Sequence, residues 1–171
     1  RHRNDDKGSP LINARSETIV EKPSFRESFF RRRCIVPATG FYEWLADGGV
    51  KTPHLVRAVN GPWFGMAGLW DRWRGENGLV ESFTVVTCPA HGKMKSIHDR
   101  MPVILNLDEQ ALWLDPATSL ATLQGLMLGR TASALTLEIV SDRVNSVRND
   151  DIGCQSPAPI HAGEFQQQSL F

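Results

Sequence analysis

The sequence of 171 residues has little cysteine and no long hydrophobic run. Its cysteines, Cys34, Cys88 and Cys154, are far apart and odd in number, which argues against a disulfide framework and fits a reducing compartment. No apolar run approaches the roughly 20 residues that a membrane-spanning helix needs. The N-terminal residues also do not resemble a signal peptide. We therefore expect a soluble, cytoplasmic protein without a membrane partner.

Net charge is also absent, because 19 basic and 19 acidic residues cancel. The overall charge therefore gives no indication of nucleic-acid binding. The arginines at 31–33 can still form a local basic face, and the alternative is that they lie on a solvated helix surface. Metal ligands are sparse as well, since Cys88, His91 and His98 are one ligand short of a structural zinc site. The glycines do not form a phosphate-binding loop before a helix. We expect no metal and no other cofactor.

The distribution of apolar residues predicts an α+β fold. Hydrophobic residues at 41% and charged residues at 22% are typical of a globular protein with a sizeable core. Short aromatic and β-branched runs alternate with turn signals, and no βαβ alternation is present. We expect a mostly antiparallel bent sheet or β-barrel-like core with peripheral helices. A single domain is predicted over residues 1–171, with its N-terminal segment missing and a flexible tail at 154–171.

Local signals predict where the helices and strands begin and end. A first helix is expected from Ser16 to the helix breaker Pro23, and a second one is expected to be capped by Ser24. Asp108 is expected to cap another helix, and the polar residues 71–78 are expected to form a loop. Strands are predicted at 34–37, 40–45, 54–58, 63–70, 82–87, 101–105 and 135–140.

The most distinctive stretch chemically is the junction where His98, Asp99 and Arg100 directly precede an apolar strand. Such junctions let a rigid scaffold present reactive side chains. His98 is the best candidate for moving a proton near neutral pH, and the alternative is a hydrogen-bonding core histidine. Arg100 is expected either to bind a phosphate or to neutralise Asp99.

Two earlier stretches contain the remaining candidates. Strand alternation places Glu43 on the same face as Phe41 and Leu45, where an inward-pointing carboxyl group can act as a general acid. The alternative is a carboxylate paired with an arginine. Asn13 and Arg15 flank one small residue and are predicted to project the same way. An amide and a guanidinium in that arrangement suit a sugar-phosphate backbone.

Two other functions remain open on the residues alone. Cysteine, histidine and asparagine permit a thiol hydrolase with Cys34 or Cys88 as the nucleophile. Neither cysteine stands at a position that would lower the pKa of its thiol, and both are interpreted as buried strand cysteines. The other alternative is a non-covalent binder of single-stranded DNA that uses basic residues and exposed aromatic side chains.

Three segments together resemble the signature blocks of the SOS response-associated peptidase (SRAP) family. They are NARSET at 13–18, RCIVPATGFYEW at 33–44 and IHDRMP at 97–102, in the family's order and spacing. The resemblance implies a sensor of abasic sites in single-stranded DNA. In this family an N-terminal cysteine, exposed by autoproteolytic removal of the initiator methionine, condenses with the ring-opened sugar to a thiazolidine crosslink.

The resemblance also implies roles for individual residues. Asn13 would orient the reacting cysteine or sugar, Glu43 would promote ring opening as acid or base, and His98 would shuttle protons. The implied DNA-binding residues are Asn13, Arg15, Thr87 and Arg100. The sequence departs from the family in lacking the nucleophilic cysteine and a tryptophan-rich segment before Arg1. We expect a monomer that acts on abasic single-stranded DNA at the nucleoid or replication fork.

Overall fold

The computed structural model describes residues 11–75, 78–129 and 135–159. Its strands are β1 (Asn13–Arg15), β2 (Arg33–Ala38), β3 (Phe41–Asp47), β4 (Val50–Ala58), β5 (Phe64–Gly75), β6 (Gly78–Pro89), β7 (Arg100–Pro102), β8 (Ile104–Leu105) and β9 (Leu135–Ile139). Its α-helices are α1 (Pro23–Arg31), α2 (Leu107–Leu114) and α3 (Leu120–Leu126). Short 3-10 helices cover Gly92–Ser96, Asp142–Asn145 and Ile152–Gln155. The predicted α+β class, with a bent and mostly antiparallel sheet, is confirmed.

The described strands form a larger sheet in the order β1-β6-β5-β2, in which β7 also pairs with β6 and β8 with β5. Strands β5 and β6 are a long antiparallel hairpin that separates at its open end, where β7 and β8 lie between them. Val103 joins the two sides, because its N–H donates to the Val86 carbonyl and its own carbonyl accepts from the Ala67 N–H. This insertion places the segment around His98 and Arg100 beside the end of β6.

A second, three-stranded antiparallel sheet has the order β3-β4-β9. Its pairing is regular along β3, so alternate side chains point to opposite faces. On one face the Phe41 ring meets Phe64 edge-on at 6.2 Å. On the other face the Trp44 indole N–H donates to Asn145 Oδ1 at 2.7 Å. This hydrogen bond attaches the 3-10 helix Asp142–Asn145 to the smaller sheet. Glu43 consequently lies on the Phe41 side.

The predicted boundaries are wrong at three places. Residues 16–21 form hydrogen-bonded turns instead of a helix, and α1 begins at Pro23, with Lys22 rather than Ser24 as its N-cap. Proline is favoured at a first helical position because its missing N–H would have no partner there. Residues 71–75 and 78 belong to the β5–β6 hairpin rather than to a loop, because cross-strand pairing overrides their polar composition.

The third correction concerns α2, which is capped by Asn106 and not by Asp108. The Asn106 side chain accepts from the Glu109 N–H at 2.9 Å, and the Glu109 carboxylate accepts from the Asn106 N–H at 2.9 Å. This reciprocal capping box satisfies two N–H groups at once, which Asp108 could not do. It fixes the start of α2 directly after β8.

Helix α2 is fastened to the larger sheet and to α1 through Trp113 and Arg33. Trp113 is fully buried, its indole N–H donates to the Cys34 carbonyl at 3.0 Å, and its ring meets Phe29 edge-on at 6.0 Å. The Arg33 guanidinium donates to the carbonyls of Trp113, Phe29 and Asp115, which lie at the C-terminal ends of α2 and α1. These contacts hold both helices against β2 and β5.

The first residues of the predicted tail are packed against the smaller sheet. Cys154 is buried within the 3-10 helix Ile152–Gln155, and Gln155 accepts a hydrogen bond from Arg57 of β4. Residues 160–171 lie outside the described part of the chain. None of the helices in the described ranges is long and apolar enough to cross a membrane.

Candidate functional site

Arg100 occupies the centre of the candidate site. Its Nη1 donates to Glu17 Oε1 at 2.5 Å, and its Nη2 donates to Glu17 Oε2 at 2.9 Å. Nη2 also donates to the Thr87 carbonyl at 2.7 Å, and Nε donates to the Thr87 hydroxyl at 3.3 Å. This arginine lowers the pKa of Glu17 to about 2, so the carboxylate is ionised near neutral pH. The carboxylate that faces Arg100 is therefore Glu17 rather than Asp99.

His98 is held by the backbone of Arg100. Its Nδ1 accepts from the Arg100 N–H at 2.9 Å, so the neutral ring carries its proton on Nε2. That Nε2 lies 3.9 Å from Glu43 Oε1. The Asp99 carboxylate and the Arg100 carbonyl, each 3.1 Å from Nδ1, can accept from this nitrogen only when it is protonated. The surroundings thus offer partners to both protonation states of His98.

Glu43 is the most enclosed carboxylate of the site, with a side chain 23% exposed. Its Oε1 also accepts from the Trp44 N–H at 3.1 Å. Directly opposite on β4 lies His54, which is buried and has its Nδ1 3.0 Å from the Thr52 carbonyl. Among the described residues the ionisable partner of Glu43 is His98, and no arginine forms an ion pair with it. The site therefore contains a carboxylate and an imidazole 3.9 Å apart, within ion-pair range and farther apart than a direct hydrogen bond.

Asn13 and Arg15 stand at the edge of the larger sheet, beside this cluster. Arg15 is directly opposite Thr87 in the parallel pairing of β1 with β6. Both side chains are exposed and lie on one face, because Ala14 between them is fully buried. Neither side chain hydrogen-bonds to another residue in the part of the chain that the structure describes. Arg15 thus presents a guanidinium without a hydrogen-bond partner in the described ranges, whereas Glu17 already balances the charge of Arg100.

The internal cysteines are poorly suited to nucleophilic chemistry. Burial raises the pKa of the Cys34 thiol and of the Cys88 thiol, which disfavours the reactive thiolate. Neither sulfur hydrogen-bonds to a histidine within the described ranges. In those ranges, likewise, no group of three or more histidine, cysteine or acidic side chains is arranged to hold a metal ion.

The family model described as "SOS response associated peptidase (SRAP)" matches residues 1–147 of the sequence. The chain belongs to the SRAP family. The match includes the whole candidate site, from Asn13 on β1 to Arg100 on β7. Glu17 stands within the first signature block, yet its role could not be predicted, because Glu17 and Arg100 are 83 residues apart and meet only in the folded chain.

Several named proteins are similar to this SRAP chain. The abasic site processing protein YoaM of Bacillus subtilis is 42% identical over 146 residues, which cover 84% of this chain and 64% of YoaM. The abasic site processing protein HMCES of Xenopus tropicalis is 36% identical over 165 residues, covering 84% of this chain and 49% of HMCES. The chain thus spans less than two thirds of the bacterial relative and about half of the vertebrate one.

Solved structures share the fold. The crystal structure of a protein from Bacteroides thetaiotaomicron has a TM-score of 0.77 and 35% sequence identity to the SRAP chain, and the match covers 84% of this chain and 65% of that protein. A protein from Bordetella bronchiseptica has a TM-score of 0.67 and 30% identity over 75% of this chain. The described elements therefore follow an architecture that related proteins adopt.

Proposed function

We propose that this SRAP protein recognises abasic sites in single-stranded DNA and becomes covalently attached to them. The observation that carries the proposal is the approach of His98 Nε2 to Glu43 Oε1 at 3.9 Å, beside the exposed Asn13 and Arg15. An acid–base pair next to groups that suit a sugar-phosphate backbone fits a sugar that lacks its base. The relatives are named abasic site processing proteins, which supports the abasic-site part of the proposal.

The proposed nucleophile is an N-terminal cysteine that precedes Arg1 in the complete protein and is freed by removal of the initiator methionine. Its amine attacks C1′ of the ring-opened sugar, and loss of one water gives a Schiff base. Its thiol then adds to the C=N carbon and transfers its proton to the nitrogen, which closes a thiazolidine without an oxidant or reductant. Glu43 serves ring opening as acid or base, His98 shuttles protons, and Asn13 orients the sugar or the cysteine.

Arg15, Thr87 and Arg100 form the remainder of the proposed DNA contact. Arg15 holds a phosphate beside the lesion, Thr87 lines the sugar pocket, and Arg100 offers the second hydrogen of Nη1, since its other donors bind Glu17 and Thr87. The protein acts as a monomer in the cytoplasm, at the nucleoid or replication fork, where single strands are exposed. Its proposed activities are the lyase-type crosslinking reaction and self-processing at the initiator methionine.

A denaturing gel tests this function. The complete natural protein is incubated with single-stranded DNA that contains one abasic site, and with the same strand intact. We expect a denaturation-resistant adduct with the abasic strand alone. Absence of an adduct overturns the proposal.

Exposed aromatic side chains favour a second candidate, a non-covalent binder of single strands. Trp63 and Phe83 are 51% and 61% exposed, and aromatic faces of this kind stack on bases irrespective of their identity. This candidate predicts salt-sensitive binding with equal affinity for intact and abasic strands. A clear preference for the abasic strand excludes it.

Replacing Arg15 with alanine is expected to remove one phosphate contact. The slope of log K against log salt for single-stranded DNA should then fall in magnitude by about 0.7. Fluorescence anisotropy titrations between about 50 and 200 mM salt measure this slope. The matched control is Arg148→Ala, an exposed arginine beside the 3-10 helix Asp142–Asn145, which should leave the slope unchanged. An unaltered slope in Arg15→Ala contradicts the assigned contact.

A further inference from the structure

Glu17 forms a bidentate ion pair with Arg100, although the chemistry described above gives Glu17 no role. We propose that Glu17 is a positioning residue for the crosslinking reaction, acting through Arg100 on Thr87 and His98. This inference rests on the proposed function. The Glu17 side chain is 44% exposed, so it can be substituted without opening the core, and its partner Arg100 is hydrogen-bonded to His98.

The contact between Glu17 and Arg100 fixes the plane of the guanidinium. Both carboxylate oxygens accept from it, at 2.5 and 2.9 Å, and such bidentate pairs constrain orientation as well as distance. The Arg100 side chain is 16% exposed, whereas the Glu17 side chain is 44% exposed. The carboxylate therefore covers the outer side of an arginine that is otherwise enclosed. One hydrogen of Nη1 has no acceptor among the described residues.

The fixed guanidinium in turn fixes the end of β6. The Thr87 carbonyl accepts from Arg100 Nη2 at 2.7 Å and from the Ser16 N–H at 2.9 Å. The turn that contains Glu17 is thus attached to the same carbonyl that Arg100 binds. Thr87, Arg100 and the residues 16–17 form one hydrogen-bonded unit across β1, β6 and β7.

His98 is connected to this unit through the main chain of Arg100. The Arg100 N–H donates to His98 Nδ1 at 2.9 Å, which keeps the Nε2 proton on the side of Glu43. Removing the carboxylate should therefore loosen the His98 imidazole through the Arg100 main chain.

The test compares Glu17→Gln with wild type in the complete natural protein. At saturating abasic DNA we expect the rate of adduct formation to fall about tenfold or more, the scale of a misplaced catalytic group. The affinity for the intact strand should not fall, because Arg15 still holds its phosphate and the neutral amide removes a negative charge beside the strand. Nitrogen-15 spectra of the His98 imidazole, assigned with His98→Gln, should change from the Nε2–H tautomer to a mixture.

Two further variants make the result interpretable. Asp151→Asn removes another bidentate ion pair, that of Arg143 with Asp151 next to the smaller sheet, and should leave rate and spectra unchanged. Glu17→Asp retains the charge with a shorter reach and should give a rate between those of wild type and Glu17→Gln. If Glu17→Gln does not fold, Glu17→Asp serves as the test, and a wild-type rate in it overturns the inference.

Other outcomes also decide the question. An unchanged rate in Glu17→Gln, or unchanged His98 spectra, contradicts the positioning role. Equal losses of rate and of affinity for the intact strand indicate a merely structural pair and overturn it as well. Failure of wild type to form any adduct refutes the proposed function itself, and the tautomer comparison between wild type and Glu17→Gln then still tests whether Glu17 positions His98.

Discussion

Replacing Glu43 with glutamine is expected to slow adduct formation on abasic single-stranded DNA by about 10²- to 10⁴-fold, the usual contribution of general acid–base catalysis. The amide keeps the size of the carboxylate and can still accept from the Trp44 N–H. It can no longer exchange a proton with the sugar oxygen, and it no longer presents a carboxylate to His98 Nε2, 3.9 Å away. Single-turnover quenching at saturating DNA, followed by a denaturing gel, measures the rate.

The control is Glu138→Gln on β9 of the same sheet. Glu138 lies on the opposite face from Glu43, is half exposed, and reaches Arg57 only at 4.0 Å. Its replacement should leave the rate unchanged, and both variants should bind the intact strand as wild type does. Equal rates in Glu43→Gln and Glu138→Gln would remove Glu43 from the mechanism. A loss of rate that is matched by a loss of affinity would make Glu43 a binding group instead.

Truncating Trp113 to alanine is expected to lower the free energy of unfolding by about 3–5 kcal/mol. The indole is fully buried, meets Phe29, and donates to the Cys34 carbonyl. Its removal leaves a cavity between α1, α2 and the larger sheet, and it leaves that carbonyl without this donor. The Arg33 guanidinium, which lies 5.9 Å from the ring centroid, also loses the aromatic surface it covers.

Urea unfolding followed by circular dichroism measures this change. Trp63→Ala provides the control, because that tryptophan is 51% exposed and its truncation should alter the free energy of unfolding by about 0.5 kcal/mol or less. Similar losses in the two variants would show that α2 is not anchored through Trp113.

The candidate residues could be singled out from the sequence because their types are uncommon in combination and lie in short contiguous blocks. Alternation along a regular strand was enough to place Glu43 on the Phe41 side and Asn13 beside Arg15. The partner of Arg100 could not be predicted in this way. Local spacing offers Asp99 as the adjacent carboxylate, whereas folding brings Glu17 across 83 residues to the same guanidinium.

The wrong boundaries have equally specific causes. Residues 16–21 form turns because the Ser16 N–H donates to the Thr87 carbonyl and the Thr18 N–H to the Arg15 carbonyl, and the first of these is a long-range contact that local spacing does not reveal. The β5–β6 hairpin extends beyond the core, and both of its faces are partly exposed there. Its polar residues therefore lack the alternation of apolar and polar side chains that indicates a half-buried strand. For α2 the decisive signal was present, since Glu109 stands three residues after Asn106 as a capping box requires.

Mass spectrometry of the adduct tests the central claim most directly. The complete protein is reacted with single-stranded DNA that carries one abasic site, and the product is weighed and digested. We predict the mass of the methionine-free protein plus the strand minus one water, with the attachment mapped to the N-terminal cysteine and unaffected by borohydride. Attachment at Cys34, Cys88 or a lysine, or no covalent product, would contradict the account.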